Sequence, residues 1–420
     1  MSFSSLLNAS LIYTKRNDAS QTGDELLMKR PTILLRPKEG RRVKAGAPWV
    51  FSNEIVMDER TKSLPPGSLV TLAEADGRPL GRGYFNSKSL IAVRLLGPPD
   101  HETDADFFAG RLSRALALRK RLFEQPFYRL VHAEGDLLPG VVIDRFGDAC
   151  VVQITTAGME LLTDALLAAL DRVVAPASVI LRNDSPSRAL EGLDTHVSVA
   201  KGELGSRLIV EENGVRYFTD PTSGQKSGWY YDQRNNRRFV AGLAKDKRML
   251  DTYCYTGGFS VLAAVRGAAQ IVGLDSSAAA LELAAEAAAA NGVGAICTFK
   301  RTDVLGALEK FALEGEVFDV VIADPPPFVP SRKDVEAGAR AYRKLARLAA
   351  GVVAPNGFLM LASCSHNISL ERFATECALG IVRAGRIARL IREAGAGPDH
   401  PIHPMLPETA YLKTLTYAVD

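Results

Sequence analysis

Cysteine is scarce in this chain, and so are the patterns that give cysteine a structural role. The 420 residues contain five, at positions 150, 254, 297, 364 and 377. The number is odd, the spacings are long, and no two are spaced as CxxC. That excludes a disulfide framework and a structural zinc site, and free thiols point to a reducing, cytoplasmic compartment. His400 and His403 have no clustered partners, so no metal site is expected. No apolar run reaches the roughly 18 residues of a membrane span. The nearest, Leu283 to Ala290, is short and carries Glu286. Neither a GxGxxG fingerprint nor a Walker A lysine is present. No secretory signal is visible, and residues 1–30 read as a disordered tail or an extended translation start, with Met28 as the alternative first residue.

What is present is an ordinary globular composition, with 47% hydrophobic, 24% charged and 7% aromatic residues. The length suits two to four domains. Net charge is only +3 (51 basic against 48 acidic), but the basic residues are unevenly spread. Between Arg36 and Arg94 there are 11 Lys/Arg and six Asp/Glu, with Arg36, Lys38, Arg41, Arg42 and Lys44 close together. Such a patch is either a phosphate-binding surface or a solvated face.

The grammar of the chain changes twice. Over residues 31–103, short strand-like runs (Thr32 to Leu35, Ser68 to Leu72, Leu90 to Leu96) alternate with Gly/Pro turns, predicting a small β-barrel or sandwich. Over 104–205, a helix from Asp104 to Phe123 is followed by short strands and one helix, Gly158 to Val173, predicting an α+β unit. Over 206–420, apolar runs end in an acid or small residue and lead into helices. Buried strands are expected at Met249–Thr252, Ala269–Leu274, Val317–Ala323 and Gly357–Ser363. Helices are expected at Gly258–Val265, Ala278–Asn291 and Asp334–Val353. This is the α/β pattern of a parallel sheet covered on both faces.

Three constellations sit at the carboxyl ends of those strands, where such sheets bind ligands. In Asp251-Thr-Tyr-Cys-Tyr-Thr-Gly257-Gly258-Phe259, the glycines permit a tight turn and close backbone approach to a ligand. The next strand ends at Asp275-Ser276, where an acid can accept both ribose hydroxyls of a nucleoside cofactor. Asp303 follows the next strand candidate, within reach of an adenine amino group. Asp324-Pro-Pro-Pro327-Phe328 follows, since prolines force a rigid exit loop that presents Asp324 to the cleft. Last is Ser363-Cys364-Ser365, where a cysteine at the rim is either a nucleophile or an inert small hydrophobe. Arg340, Arg343, Lys344 and Arg347 share one helix face, which with Arg332 and Lys333 either extends a positive surface beside the cleft or is a solvated face. Phe328, Trp229 and Tyr230 are candidates for stacking on a base or on adenine, and equally for core packing. His366 is a candidate for orienting a site group or for an ordinary loop histidine.

Taken in order, these motifs resemble class I S-adenosylmethionine methyltransferases. More narrowly, the chain is similar to the ribosomal large-subunit RNA cytosine-C5 methyltransferase I family. The resemblance runs from about Pro31 to Tyr417. It rests on Leu130-Val-His-Ala-Glu-Gly-Asp-Leu-Leu-Pro-Gly140, Ser223-Gly-Gln-Lys-Ser-Gly-Trp-Tyr-Tyr-Asp-Gln-Arg234, Cys254-Tyr-Thr-Gly-Gly-Phe259, Asp324-Pro-Pro, Ser363-Cys-Ser365 and Asp399-His-Pro401. It implies an N-terminal PUA domain that binds RNA, a central α+β domain, and a C-terminal Rossmann-like domain that takes S-adenosylmethionine. Gly257 and Gly258 would hold the methionine moiety, Asp275 the ribose and Asp303 the adenine. The segment from Gln225 through Asp232 to Arg234 would close over the cofactor, with Tyr255, Thr256, Phe259, Ser276 and Asp324 also lining its site. Cys364 would be the nucleophile, with Asp324 holding the base. Arg36, Lys38, Arg41, Arg42, Phe328, Arg340 and Arg343 would meet RNA, most naturally 23S rRNA. The family usually has a lysine after the two prolines, where this chain has Pro327. Lys226 and Arg332 are the expected substitutes. An amino-group methyltransferase using the Asp-Pro-Pro loop and a non-catalytic RNA binder are the alternatives. Oligomeric state, a homodimer included, and the role of Cys254 are left open.

Overall fold

Four sheets organise the described residues of the computed structural model, which are 30–203, 205–222, 224 and 228–420. The tail expected before residue 30, and the positions Gln225 and Lys226, lie outside them.

The first sheet holds β1 (Thr32–Leu34), β2 (Trp49–Phe51), β3 (Ser68–Ala73), β4 (Pro79–Phe85) and β5 (Ile91–Gly97), in the order β1-β3-β4-β5-β2. One-turn helices α1 (Arg41–Lys44) and α2 (Glu59–Lys62) sit in its connections. Its edges meet, because Leu35 bridges Ile55 and the Val56 amide donates to the Leu34 carbonyl. Ile33, Val50, Val70, Leu72, Phe85 and Val93 fill its interior.

Helix α3 (Ala105–Leu122), capped by the Asp104 carboxylate, leads to the second sheet. This contains β6 (Phe127–His132), β7 (Val141–Phe146), β8 (Ala149–Ile154), β9 (Ser178–Asn183) and β10 (His196–Lys201), in sequence order. The single helix expected at Gly158–Val173 is two, α4 (Ala157–Leu161) and α5 (Thr163–Val174), broken at Leu162. One face of this sheet packs on α3 and α5 through Leu112, Leu130, Ile143, Val152 and Leu166. The other face gives Phe146, Val151 and Ile180 to the core of the C-terminal unit.

The first two units are joined by buried polar contacts. Tyr84 donates its hydroxyl to the Pro139 carbonyl (2.9 Å), and Arg94 pairs with Glu191 at 2.9 Å. Gly158 lies so close to Tyr84 that an added Cβ would sit 2.0 Å from the ring.

The hairpin β11 (Leu208–Glu212) and β12 (Val215–Thr219) precedes α6 (Arg234–Leu243) and the seven-stranded sheet. Its strands are β13 (Arg248–Thr252), β14 (Gln270–Asp275), β15 (Cys297–Arg301), β16 (Phe318–Ala323), β17 (Val353–Ser363), β18 (Ala388–Ala394) and β19 (Lys413–Val419). Their order is β15-β14-β13-β16-β17-β19-β18, parallel except where β19 runs antiparallel to β17 and β18. Helices α7 (Gly258–Val265) and α8 (Ala278–Ala290) pack on one face with α6. Helices α9 (Val304–Glu314), α10 (Val335–Gly351) and α11 (Leu370–Arg383) cover the other. The continuous apolar runs of β13 and β16 follow from burial on both faces. The order of the sheet reverses beside β13, so β13, β14 and β16 open into one crevice at their carboxyl ends. No described helix is long and apolar enough to cross a membrane.

Candidate active site

At those strand ends lies a cleft of about 320 Å³. The Gly257-Gly258 turn forms its floor. Gly257 has φ +78°, and Tyr253 and Tyr255 also adopt positive φ, so this is a strained turn of the kind functional sites retain. The Tyr255 amide donates to Asp275 Oδ2 (3.0 Å), and the Ser277 amide to Asp275 Oδ1 (2.9 Å). Asp275 thereby locks the glycine turn to the end of β14 while keeping lone pairs for two hydroxyls. Below the turn, Asp251 is buried and its Oδ2 accepts from the Ser260 amide (3.0 Å) and hydroxyl (2.6 Å). Burial, reinforced by the nearby Asp324 and Asp275 charges, pushes its pKa up to about 7. Thr256 Oγ1 is buried without a hydrogen-bond partner among the described residues, leaving a donor and acceptor for a ligand.

The opposite wall is built by α6 and the loop before it. Arg237 pairs with fully buried Glu212 (2.7 and 3.1 Å) and donates to the Tyr230 carbonyl (2.7 Å). Its guanidinium lies 4.5 Å from the Trp229 ring centre, and Trp229 Nε1 also donates to Glu212 (3.2 Å). This network presents Trp229 and Tyr230 to the cleft. Gln233 Nε2 donates to Asp324 Oδ2 (2.8 Å), and Asn236 in turn holds Gln233 (2.7 Å).

Cys364 follows β17 directly. Its flanking serines are scaffold, since Ser363 donates to the Tyr342 hydroxyl (2.7 Å) and Ser365 Oγ lies 3.0 Å from it. The Val329 amide donates to Ser365 Oγ (3.2 Å), and Asn367 donates to the Val329 and Pro330 carbonyls. The proline loop and the cysteine loop are thus stitched together. Cys364 faces the first cleft and also a second cavity of about 460 Å³. Trp229, Tyr230, Asp232 and Pro327 are shared as well, while Arg129 and Gln153 of the central sheet, His366, His400 and Tyr411 complete the second wall.

The candidates divide. Asp232, Tyr255, Thr256, Gly258, Phe259, Asp275, Ser276, Asp324 and Cys364 line the first cleft, whereas Gly257 shapes it from behind. Three others are placed elsewhere. Arg234 donates to the Phe127 carbonyl and lies over the Phe123 and Tyr231 rings (4.6 and 5.3 Å), because aromatic neighbours outside the cleft claim its guanidinium. Asp303 caps α9 through the Gly306 amide (2.8 Å) and does not line the cleft. Phe328 packs on Tyr342, ring centres 4.9 Å apart, and lines neither cavity. Gln225 and Lys226 are outside the described residues, and Arg332 is exposed without lining either cavity. Among the basic candidates, Arg36, Lys38, Arg41 and Arg340 are exposed. Arg42 instead pairs with Glu408 (2.6 Å), and Arg343 with Glu376 (2.6 Å). Cys254 lines the first cleft, but burial pushes its thiol well above the ordinary range, which disfavours the thiolate.

The sequence reading missed Arg237 and Arg129, and it gave Gln233 and His400 no role of their own beyond the motifs that contain them. His400 Nδ1 lies 3.0 Å from Asp399 Oδ1, and Asp399 Oδ2 accepts from the Arg129 amide (3.0 Å). Arg119, fully buried, joins Asp136 (2.6 and 2.7 Å) to the Asp399 carbonyl (2.9 Å). Through Arg119, the His-Ala-Glu-Gly-Asp motif therefore braces the Asp-His-Pro motif, whose His400 lines the second cavity.

Comparison with known proteins fits this geometry. Residues 33–98 match a PUA-like domain, and residues 191–393 match an S-adenosylmethionine-dependent methyltransferase domain. The ribosomal RNA large subunit methyltransferase I of Shewanella denitrificans is 36% identical over 393 residues, covering 92% of this chain and 99% of that one. The chain belongs to the ribosomal RNA large subunit methyltransferase I family. The Aeromonas hydrophila family member is 38% identical over 88% of this chain and 94% of its own. A solved methyltransferase from Streptococcus mutans shares the fold at TM-score 0.78 and 21% identity over 92% of this chain and 100% of that one. Another, described as complexed with SAH, gives TM-score 0.80 at 20% identity with the same coverage.

S-adenosylmethionine is accordingly the cofactor, and the cleft suits it. The unpartnered Thr256 hydroxyl, the acceptor pair of Asp275 and the absence of a side chain at Gly258 all face the same space. A Cβ on Gly258 would come within 3.0 Å of Arg237 and 3.2 Å of Trp229. Bound there, the cofactor supplies an electrophilic methyl group on a cationic sulfur.

Proposed function

We propose that this chain methylates C5 of a cytosine in RNA through a covalent adduct of Cys364; the names of its relatives point to large-subunit ribosomal RNA, and the motif resemblance to 23S rRNA. The carrying observation is that Cys364 stands at the junction of the two cavities, facing the cofactor cleft on one side and a space of base size on the other. Cytosine C5 is a poor nucleophile. Addition of the Cys364 thiolate to C6 moves the C5–C6 π electrons onto C5, which then takes the methyl group from sulfur. A base removes the C5 proton, the electrons of the C5–H bond restore the C5–C6 double bond, and the C6–S bond breaks with its electron pair leaving on the thiolate. Asp324, held by Gln233, would accept from the cytosine amino group, and Tyr230 and Trp229 offer faces for stacking. The exposed Arg36, Lys38 and Arg41 of the PUA-like unit, with Arg340, supply phosphate contacts. A base must leave its stack to enter such a cavity, which suits an unpaired target.

The test uses labelled S-adenosylmethionine and unmodified 23S rRNA, with wild type beside Cys364→Ala. The expected product is 5-methylcytidine from wild type and none from the variant. A variant with full activity, or a methyl group on nitrogen, overturns the cysteine mechanism and favours amine methylation at Asp324. No methylation of free rRNA or assembled subunits favours a non-catalytic RNA binder.

A further inference from the structure

Beneath the Cys364 loop lies a lysine that neither the motifs nor the cofactor cleft accounts for. Lys413 opens β19 and is the direct cross-strand partner of Ser363 at the end of β17. Paired residues on antiparallel strands project to the same side of the sheet with their Cβ atoms about 5 Å apart. Lys413 therefore starts one residue from Cys364. Its ammonium donates to the carbonyl of Ser365, on the far side of the cysteine, at 2.9 Å, and to the Tyr411 carbonyl at 3.0 Å. Lys413 thus engages the residues on both sides of Cys364, Ser363 through its backbone and Ser365 through its ammonium.

Lys413 is only 9% exposed, and it makes no ion pair with a carboxylate among the described residues. This is unusual in this chain, where the buried Arg94, Arg119, Arg129, Arg188 and Arg237 each have an acidic partner. A buried cation held only by neutral carbonyls is costly unless an anion completes its surroundings. Burial accordingly lowers the Lys413 pKa, and the neighbouring charge that raises it back is that of Cys364. Pro327, on the rim shared by both cavities, brings no charge to the thiol.

We propose that Lys413 is the positioning residue that holds Cys364 as a thiolate, the two forming an ammonium–thiolate pair beneath the target-base cavity. The assignment rests on the reading of Cys364 as the nucleophile. The other groups around the thiol do not replace the lysine. Asp324 and Asp232, on the loops facing it, oppose a second negative charge. Tyr230, Tyr342 and Tyr411 are kept neutral, their hydroxyls pushed up chiefly by burial. Arg129 is spoken for by Asp144 (2.8 and 2.9 Å). His366 and His400 also face the second cavity, and His400 is turned to Asp399, its Nδ1 3.0 Å from Oδ1.

The test reads the thiol directly, on the full chain without RNA. The rate of Cys364 alkylation by iodoacetamide is followed by peptide mass from about pH 5.5 to about pH 9.5, spanning the ordinary thiol pKa of about 8.5. Wild type, Lys413→Gln and Lys413→Arg are compared. The glutamine keeps a donor for the two carbonyls but no charge. The wild-type midpoint is expected at least about one pH unit below the ordinary value. Lys413→Gln is expected to raise it by about one unit or more, and Lys413→Arg to restore most of the shift. Binding of SAH, whose cleft Lys413 does not line, reports whether each variant is folded. A wild-type midpoint at or above the ordinary thiol value overturns the proposal whatever the variants do. So does a folded Lys413→Gln with an unchanged midpoint. Should Cys364→Ala stay active while the midpoint is low and follows Lys413, the nucleophile reading falls and the ion pair stands. If Cys364→Ala is dead and the midpoint ignores Lys413, only the lysine assignment falls.

Discussion

Replacing Asp251 with asparagine should stabilise the cofactor-free protein in mild alkali and not in mild acid. In the folded chain Asp251 keeps its proton to about pH 7 against an ordinary value of 3.8, mainly through burial, with Asp324 and Asp275 adding and the Ser260 hydrogen bonds opposing. Once unfolded, it ionises near 3.9. Between these values the folded state binds more protons, so stability falls as pH rises, and the full penalty is present above about pH 7. Three units at about 1.4 kcal/mol each give a penalty of about 4 kcal/mol. Asparagine cannot ionise, and its carbonyl can still accept from the Ser260 amide and hydroxyl. Its amide nitrogen then occupies the position of Oδ1, which has no partner among the described residues. Leaving that group unsatisfied costs about 1–3 kcal/mol. The net expectation is a gain of about 1–3 kcal/mol at about pH 8, shrinking to nothing or a small loss at about pH 5. Thermal midpoints of wild type and Asp251→Asn at both pH values, without cofactor, provide the measurement. An equal difference at both, or a variant worse off at the higher pH, refutes the argument that a buried ionised carboxylate strains the cofactor-free cleft.

Two further substitutions probe the walls of the cofactor cleft. Glu212→Ala strands the buried Arg237 and frees Trp229. It should destabilise the protein by about 3–5 kcal/mol, read from denaturant unfolding, and a loss under 1 kcal/mol contradicts the network. Gly258→Val fills space bounded by Arg237 and Trp229. It should weaken SAH binding by about tenfold or more, equivalent to about 1.4 kcal/mol, with the fold retained, as calorimetry and circular dichroism can check together.

The placement of the strand-end residues was legible because it is local. Asp251, Gly257, Gly258, Asp275 and Asp324 each follow an apolar run, and the sheet carries all of them to one edge. What was illegible depends on contacts between distant parts of the chain. Arg129 and Asp399 meet across 270 residues, and Arg119 and Asp399 across 280. No local pattern marks Lys413 as the neighbour of Cys364, because β19 must first be known to pair with β17. Arg234 and Phe328 were misplaced for the converse reason. Both lie in motifs at the cleft, yet their side chains turn toward aromatic neighbours. Asp303 carried an available signal, since an acid immediately before a helical run is a common N-cap. The single helix expected at Gly158–Val173 failed because apolar periodicity continues across the break at Leu162.

The wall common to both cavities makes their ligands thermodynamic partners. Trp229, Tyr230, Asp232, Pro327 and Cys364 face both spaces. Whatever factor a donor in one cavity imposes on RNA affinity in the other, RNA must impose on the donor. The spent donor has lost the positive charge that the intact one carries, so the factor need not be the same before and after methyl transfer. That difference is a free energy the protein can direct toward release of methylated RNA. A titration of RNA in the presence of each donor form would measure it without a single turnover.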